Sequence, residues 1–266
     1  MSLRVVTVGP ADRAAFAEGI AALERGTSYP LGDDRFELDH GVDYFAFFDR
    51  LGEAVYEVAL DGERVVAISC RVLRERPLRC WYLCDLKVHP DYRGQRIAQR
   101  FVRHAFVRAY ARCSRGYAIS MNEAGGAENR IERLVRRLRM VPIGTAELAL
   151  YSLACDDMAR CAPIVERHRG PVAYLSHAGR KDLLLHSTGQ RLPLLHAQFG
   201  RCAADSSEAG WTSGPQEDHV HMLVTPRGDG LDAELRASGC EPDASATLIH
   251  HRMKGGPFDF VLTSDI

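Results

Sequence analysis

The chain of 266 residues is long enough for one large domain or two small ones. Its formal net charge of −1 offers no global attraction for nucleic acid, and its hydrophobic fraction of 46% is that of an ordinary soluble globular protein. The first residues lack the basic start and apolar core of a secretion signal, and no later run is long enough to span a bilayer. We therefore expect a cytoplasmic protein that binds neither membranes nor nucleic acid.

The cysteines and histidines form no recognisable metal-binding pattern. The eight cysteines include no Cys-x-x-Cys pair, and neither His219-x-His221 nor His250-His251 has further ligands at zinc-like spacing. A chain of this size without a secretion signal also has little need of a disulfide framework. We expect free thiols and no metal.

Residues 3 to 74 predict a strand, a helix, a loop with a short helix, and then a hairpin. The first helix carries its apolar residues on one face, and Asp12 is a plausible N-cap for it. Asp61-Gly62 is a strong turn signal between two alternating segments. The predicted strands are Leu3 to Val8, Ala54 to Leu60 and Val65 to Arg74, and the short helix lies around Tyr44 to Leu51.

The segment from Cys80 to Tyr110 changes its periodicity at a short basic turn. It opens as a strand of aromatic and aliphatic residues, which a proline then ends before Arg93-Gly94 allows a tight turn. From Ile97 the apolar residues recur every three or four positions, which predicts a helix. The unpaired N–H groups that open this helix, with Arg93 and Arg96 beside them, predict an anion site suited to a diphosphate.

The string Leu86-x-Val88-x-Pro90-x-x-Arg93-Gly94-x-x-x-Ala98 resembles the acyl-CoA signature of the GNAT superfamily of N-acyltransferases. No dinucleotide or P-loop glycine motif follows any plausible strand. The resemblance implies that the strand pairs with the pantetheine arm of acetyl-CoA and that the loop and the helix start hold its pyrophosphate. The residues implied in this binding are Leu86, Lys87, Val88, Arg93, Gly94, Gln95, Arg96, Ile97 and Ala98. Arg96 is a departure, because the family usually has glycine there.

The same strand supplies the candidate catalytic residues. It resembles the strand of polyamine acetyltransferases, in which a Glu–Asp pair precedes the leucine, but Cys84 stands here in place of the glutamate. A neutral thiol is a poor base, so Asp85, or a water molecule held by Tyr82, is the better candidate for deprotonating an amine. The alternatives without a catalytic role are that Cys84 is a small buried strand residue and that Asp85 has a structural partner. Strict alternation places Asp85 and Lys87 opposite to Tyr82 and Cys84.

The family commonly uses a tyrosine in the helix after the next strand as the general acid that protonates the CoA thiolate. The corresponding position here is Val135, and the predicted helix contains no tyrosine. Either solvent or another residue such as Tyr117 would then supply the proton, or catalysis would be slow.

The residues after the signature helix complete the first domain. Tyr117 to Met121 is a predicted strand that runs parallel to its predecessor, because a helical crossover joins the two. A helix from Glu128 to Met140 and a closing strand from Glu147 to Leu153 follow. The first domain is therefore predicted to cover residues 1 to 154.

Residues 155 to 266 predict a smaller α/β accessory domain. The strand, helix and strand at His219 to Thr225, Leu231 to Ser238 and Ala246 to Met253 repeat the order found from Gly116 to Leu153. This order favours a degenerate second GNAT-like unit without the arginine–glycine loop, with an unrelated appendage as the alternative.

The loop before Tyr44 concentrates acidic residues among aromatic ones. In the resembled family this region lines the acceptor side of the active site. Its carboxylates would suit a cationic amine by charge complementarity, although such runs usually face solvent and bind nothing. They are Asp33, Asp34, Glu37, Asp39 and Asp43.

The predicted fold is α+β, with a GNAT-type mixed and mostly antiparallel sheet flanked by helices and a smaller C-terminal domain. The predicted reaction is direct attack of a small primary amine on acetyl-CoA in a ternary complex. The missing glutamate and tyrosine favour a second hypothesis, a noncatalytic acyl-CoA sensor. A third is an acyltransferase that uses a longer acyl-CoA, with the second domain as the roof of the tunnel.

Overall fold

The elements predicted for the N-terminal half are present, with small shifts at their ends. The computed structural model describes residues 3–25, 27–31, 34–123, 129–138, 141–254 and 256–266. In chain order this half contains β1 (Leu3–Val8), α1 (Arg13–Glu24), β2 (Ser28–Leu31), β3 (Asp34–Asp39), α2 (Tyr44–Asp49), β4 (Glu53–Asp61), β5 (Arg64–Arg74), β6 (Cys80–Val88), α3 (Ile97–Arg112), β7 (Gly116–Met121), α4 (Arg130–Leu138) and β8 (Gly144–Leu153). The predicted ends of α4 at Glu128 and Met140 lie outside the described residues. The sequence did not predict the β2–β3 hairpin, which lies where we expected a loop.

The C-terminal half contains the predicted strand, helix and strand together with further elements. Its elements are α5 (Cys155–Arg169), β9 (Ala173–Leu175), β10 (Asp182–Leu185), β11 (Arg191–Leu192), β12 (Leu194–Gln198), β13 (Trp211–Thr212), β14 (Val220–Pro226), α6 (Gly230–Ala237) and β15 (Ala244–His251). The order β14–α6–β15 confirms the internal repeat of β7–α4–β8. None of the helices in the described ranges is long and apolar enough to cross a membrane.

One large sheet runs through both halves of the chain. It has eleven strands in the order β1-β4-β5-β6-β7-β15-β8-β14-β12-β9-β13. β6 with β7 and β12 with β14 are parallel pairs, and the other neighbours are antiparallel. This confirms the predicted α+β fold with a mixed, mostly antiparallel sheet.

The two halves exchange strands at the centre of this sheet. β15 lies between β7 and β8 and is antiparallel to both. β8 in turn lies between β15 and β14 and is antiparallel to both. Each strand–helix–strand unit therefore has one strand of the other unit inserted between its own two parallel strands. The sheet is continuous across residue 154, where the domain boundary stays a prediction.

A small second sheet joins the same two halves. Its order is β11-β10-β3-β2, and β3 pairs with β10 from Asp182↔Asp39 to Leu185↔Phe36. Its apolar face packs Phe36 and Leu183 against Leu194 of β12 and Met222 of β14. The hairpins of both halves thus form a cover over one end of the large sheet.

Alternation along the strands assigns the helices of the first half to opposite faces. In β4, Val58 and Leu60 pack in the core with α1 and α2, whereas Ala59 packs with Ile97 and Phe101 of α3. Each large apolar side chain that is fully buried contributes about 1.5–3 kcal/mol to folding. Both faces of the sheet are therefore packed against helices in the first half of the chain.

Candidate active site

β6 and β7 begin side by side and then separate. Their parallel register covers three pairs, from Trp81↔Gly116 to Leu83↔Ala118. β6 continues to Val88 and stays paired with β5 on its other edge. Among the described residues, no strand pairs with the β7-side edge of β6 from Cys84 onward. The backbone N–H and C=O groups of this edge are therefore positioned to bind an extended ligand as an added strand.

A β-bulge lies at the point where the two strands separate. Cys70 of β5 pairs with Asp85, whereas the next residue, Arg71, pairs with Leu83. Cys84 is therefore the extra residue of β6, and such a bulge redirects the side chains that follow it.

The bulge overturns the face assignment made from strict alternation. Cys84 packs against the core cluster that contains Tyr44, the Tyr44 O–H donates to Asp85, and the Lys87 ammonium lies 5.6 Å from the centre of the Tyr44 ring. The expectation that Asp85 and Lys87 face away from Cys84 is wrong, because the extra residue shifts the alternation by one. All three side chains face α2.

Asp85 is held by two donors on one of its oxygens. Its Oδ2 accepts hydrogen bonds from the Tyr44 O–H at 2.5 Å and from Lys87 Nζ at 2.6 Å, and the side chains of Asp85 and Lys87 are only 7% and 1% exposed. Burial lowers the pKa of Lys87, but Asp85, Tyr29 and Glu24 together outweigh burial, so that the pKa is raised overall. Burial and then the Asp85 charge raise the pKa of Tyr44. Both donors therefore keep their protons, and Oδ1 has no hydrogen bond from the part of the chain that is described.

The ion pair extends into a second buried carboxylate that the sequence did not reveal. Lys87 Nζ lies 3.4 Å from Glu24 Oε1, which in turn lies 2.5 Å from His40 Nδ1. Glu24 falls one helical turn after Ile20 on the apolar face of α1, and both are buried. The position of the acidic Glu24 on the apolar face of α1 was the signal in the sequence that could have revealed this buried carboxylate.

The turn between β6 and α3 contains two residues in the left-handed region. Gly94 has φ +80° and Arg96, at the N-cap of α3, has φ +60°. An L side chain in this region costs about 1–2 kcal/mol, which explains why glycine is the usual residue there. Arg93 and Arg96 are exposed, and no carboxylate of the described residues lies within ion-pair distance of either. Two cations without a carboxylate partner among the described residues thus flank the first N–H groups of α3, and Arg93 Nε donates to the Val88 carbonyl at 3.4 Å.

The other predicted acetyl-CoA-binding residues do not all face the gap with their side chains. Leu86 is 36% exposed and Ala98 lines the cavity described below. Ile97 is buried in the core under α3, and the ammonium of Lys87 is bound to Asp85. Gln95 is exposed and donates to the Asp91 carbonyl. Lys87 can therefore contribute only its backbone to a ligand in the gap.

A cavity of about 660 Å³ connects this gap with the second half of the chain. On the side of α3, β7 and α4 its lining includes Phe101, Ala105, Ile119 and Leu134. On the side of the small sheet it includes Phe36, Phe47, Lys181, Leu183, His196 and Met222. The second half of the chain therefore supplies part of the cavity wall.

Two stacked tyrosines lie where the strands begin to separate. The rings of Tyr82 and Tyr117 are 4.8 Å apart, and both residues line the cavity. Arg74 donates to the Tyr117 oxygen at 3.0 Å, so the Tyr117 O–H proton remains free to donate. Burial raises the pKa of both phenols, which keeps them protonated. The structure thus brings Tyr117 to the gap, where no tyrosine of α4 exists.

The acidic run before α2 does not face the cavity. Asp33 lies outside the described residues. Three of the other members form hydrogen bonds to the second half of the chain, namely Asp34 to Ser187, Glu37 to His186 and Asp39 to Arg191. Asp43 caps α2 by accepting from the Phe45 N–H. None of these four lines the cavity. The run ties β3 to β10 and β11 and does not support a cationic acceptor.

No group of three or more histidine, cysteine, aspartate or glutamate side chains that could hold a metal ion occurs within the described ranges. The site combines the free backbone edge of β6 with arginines, carboxylates, tyrosines and the buried ion pair between Lys87 and Asp85.

The family comparison matches the region that carries this geometry. Residues 21–129 match the family model of the GNAT acetyltransferases. This part of the chain is therefore similar to a GNAT acetyltransferase domain. No curated protein matches the sequence.

One solved structure extends the likeness beyond this region. The tandem GNAT protein from the clavulanic acid biosynthesis pathway, solved without AcCoA, is 12% identical over 94% of this chain and 98% of its own, with a TM-score of 0.51. At this identity the likeness shows the fold, which is that of two GNAT-like units in one chain. A GNAT acetyltransferase from Brucella melitensis in complex with acetyl-CoA is 14% identical over 50% of this chain and 81% of its own, with a TM-score of 0.35. An aminoglycoside acetyltransferase from an uncultured soil metagenomic sample, in complex with sisomicin, is 14% identical over 52% of this chain and 87% of its own, with a TM-score of 0.38.

Proposed function

We propose that this protein is an N-acetyltransferase that moves the acetyl group of acetyl-CoA to a small primary amine within a ternary complex. The observation that carries this proposal is the edge of β6 from Cys84 onward, which pairs with no strand among the described residues. This edge leads to two arginines at the start of α3 that have no carboxylate partner among those residues. An extended arm ending in a diphosphate matches both features.

The donor binds through backbone and charge. Its pantetheine arm pairs with the free edge of β6 near Leu86, and its diphosphate accepts hydrogen bonds from the first N–H groups of α3. Arg93 and Arg96 neutralise the diphosphate, since no carboxylate among the described residues competes for them. The thioester then lies at the bulge beside Cys84 and Asp85.

Asp85 is the proposed base. Its Oδ2 is engaged by Tyr44 and Lys87, so Oδ1 takes the proton of the attacking amine, directly or through water. Cys84 donates its thiol to the Cys70 carbonyl at 3.6 Å and serves the shape of the bulge. Tyr82 stacks on Tyr117 and keeps it in place, and the Tyr117 O–H is the proposed proton source for the departing CoA thiolate.

The experiment that tests the proposal combines donor binding with turnover. The double variant Arg93→Glu and Arg96→Glu should weaken acetyl-CoA binding at least about a hundredfold by calorimetry, because each lost charge-assisted hydrogen bond is worth about 1.5–3 kcal/mol. The control is Arg4→Glu with Arg25→Glu, an equal charge reversal at exposed positions outside the cavity lining. Unchanged affinity of the first variant would refute the placement of the donor.

Release of CoA thiol with a panel of amines separates the proposed enzyme from a sensor. Tight acetyl-CoA binding without turnover on any amine would favour a noncatalytic sensor. A strong preference for a longer thioester would favour the hypothesis of a longer acyl donor.

A further inference from the structure

Lys181 is a buried lysine without a partner of opposite charge. It is 6% exposed, it lines the cavity, and its Nζ lies 4.6 Å from the centre of the Phe47 ring. Of the three lysines in the sequence, Lys87 has the Asp85 and Glu24 carboxylates and Lys254 is exposed. Within the described residues, Lys181 Nζ has neither an ion pair nor a hydrogen bond. A buried ammonium normally requires such a partner, which points to a ligand that supplies one.

The surroundings of Lys181 leave it partly neutral in the free protein. Burial and then the charge of Arg50 lower its pKa to about 7. The charged and titratable groups that face it come from α2, β6, β12, the 177–181 turn and the C-terminal segment, namely Arg50, Asp85, Lys87, His177, His196 and Asp265. Asp265 is already paired with Arg50 and Arg74, and Asp85 with Lys87. These carboxylates are thus engaged elsewhere.

His196 lines the same cavity and has a buried acceptor without a hydrogen-bond partner among the described residues. The Thr263 O–H donates to the Met222 carbonyl at 3.1 Å, so at 3.0 Å from His196 Nδ1 the Thr263 oxygen must accept. Nδ1 therefore carries the proton and Nε2 holds a lone pair. Burial lowers the pKa of His196 to about 3, which keeps the ring neutral. Nε2 is buried without a hydrogen-bond partner among the described residues.

The lining next to these two groups is apolar. Leu183 of β10, Leu194 of β12 and Met222 of β14 pack together and line the cavity. A ligand that enters here meets one donor cation, one neutral acceptor and an aliphatic wall.

We propose that Lys181 and His196 form the acceptor subsite, and that the acceptor is an amine that also carries a carboxylate and an apolar side chain. The carboxylate accepts hydrogen bonds from Lys181, an amine N–H donates to His196 Nε2, and the side chain contacts Leu183 and Leu194. This inference rests on the proposed acetyl transfer and names its substrate class as apolar amino acids.

Binding of such a ligand is linked to proton uptake. The free protein is mostly neutral at Lys181 when the pH is above about 7, and a bound carboxylate favours the charged form. Calorimetric titration with 4-methylpentanoate, which has the carboxylate and side chain of leucine but no amino group to titrate, in buffers of different ionisation enthalpy, should show uptake of close to one proton per ligand at pH 8 and much less at pH 6. This measurement does not depend on turnover.

The substrate class is tested with leucine, leucinamide and 3-methylbutylamine, which share the amine and differ in the carboxylate. The KM of leucine should be at least about thirtyfold lower than that of leucinamide, because one partner of a buried charge pair is missing in the amide. Lys181→Met should remove this preference, Lys181→Arg should keep part of it, and Lys254→Met is the matched control that leaves it unchanged. His196→Asn retains a donor near Nδ1 and should raise the KM of all three amines.

The outcomes separate this inference from the proposed reaction. Acetylation of all three amines with equal KM, or a preference for leucine that survives in Lys181→Met, would overturn the subsite and leave the transferase intact. Lys181-dependent binding of leucine without acetylation would support the subsite and overturn the reaction. Should Lys181→Met fail to fold, the comparison of the three amines on the natural protein still decides the matter.

Discussion

Asp85 is both the candidate base and one half of a buried ion pair, and a double-mutant cycle separates these roles. The cycle consists of Asp85→Asn, Lys87→Met and the double variant. The Asp85 and Lys87 side chains are 7% and 1% exposed, and removing one partner of such a pair costs about 3–5 kcal/mol. Asp85→Asn should fall at the lower end, because Glu24 remains 3.4 Å from the ammonium. The double variant should recover at least about 2 kcal/mol of the summed losses.

Urea denaturation followed by circular dichroism measures the cycle. The control is Glu75 and Arg79, a pair whose side chains are 68% and 52% exposed, for which we expect a coupling below about 0.5 kcal/mol. A coupling below about 1 kcal/mol between Asp85 and Lys87 would contradict the buried ion pair. If the double variant folds but releases no CoA thiol with an amine that the natural protein acetylates, the result supports Asp85 as the base. If it is active, Asp85 is structural and the proton goes elsewhere.

Two further predictions concern residues that connect the halves of the chain. Lys181→Met should raise the free energy of unfolding at pH 7 by about 2–5 kcal/mol. The pKa of Lys181 in the folded protein, about 7, lies below its usual value of 10.5, so the unfolded chain binds the proton more readily. The natural protein therefore loses stability at this residue as the pH falls from 10.5 toward 7, and the methionine variant does not. A lower urea midpoint for this variant would mean that the lysine has an internal partner. Gly41→Ala should cost at least about 2 kcal/mol, because its Cβ would lie 2.2 Å from the Gly179 carbonyl oxygen at φ +67°, whereas Gly62→Ala, at φ +62° with open space around it, should cost only about 1 kcal/mol. Equal losses for the two glycine variants would argue against the close approach of the two loops.

The signature strand, turn and helix could be predicted because their signals are local. The change of period at Ile97 and the turn at Gly94 lie within a few residues of each other, and the structure places both as expected. The bulge at Cys84 could not be predicted, since it is defined by the register with β5. The pairing of β15 with β7 depends on residues more than a hundred positions apart, which no local pattern encodes.

The residues of the candidate site follow the same division. Asp85 and Arg93 were found from the signature, whereas Tyr44 and Glu24 reach Asp85 and Lys87 only through the packing of α1 and α2. Lys181 sits in a turn with no local signal of burial. The β2–β3 hairpin was missed because Phe36 packs against Leu183 of the second half, which no local pattern in the first half reveals.

The insertion of β15 sets the order in which this protein can be assembled during synthesis. β15 is translated after every other strand, yet it pairs with the strand that borders the cleft. Until it leaves the ribosome, β7 and β8 expose unpaired edges in what will become the middle of the sheet, and such edges invite association with other chains. The first half therefore cannot complete its part of the sheet without the last strand, and a cut between the halves would leave neither a complete sheet nor a finished cleft.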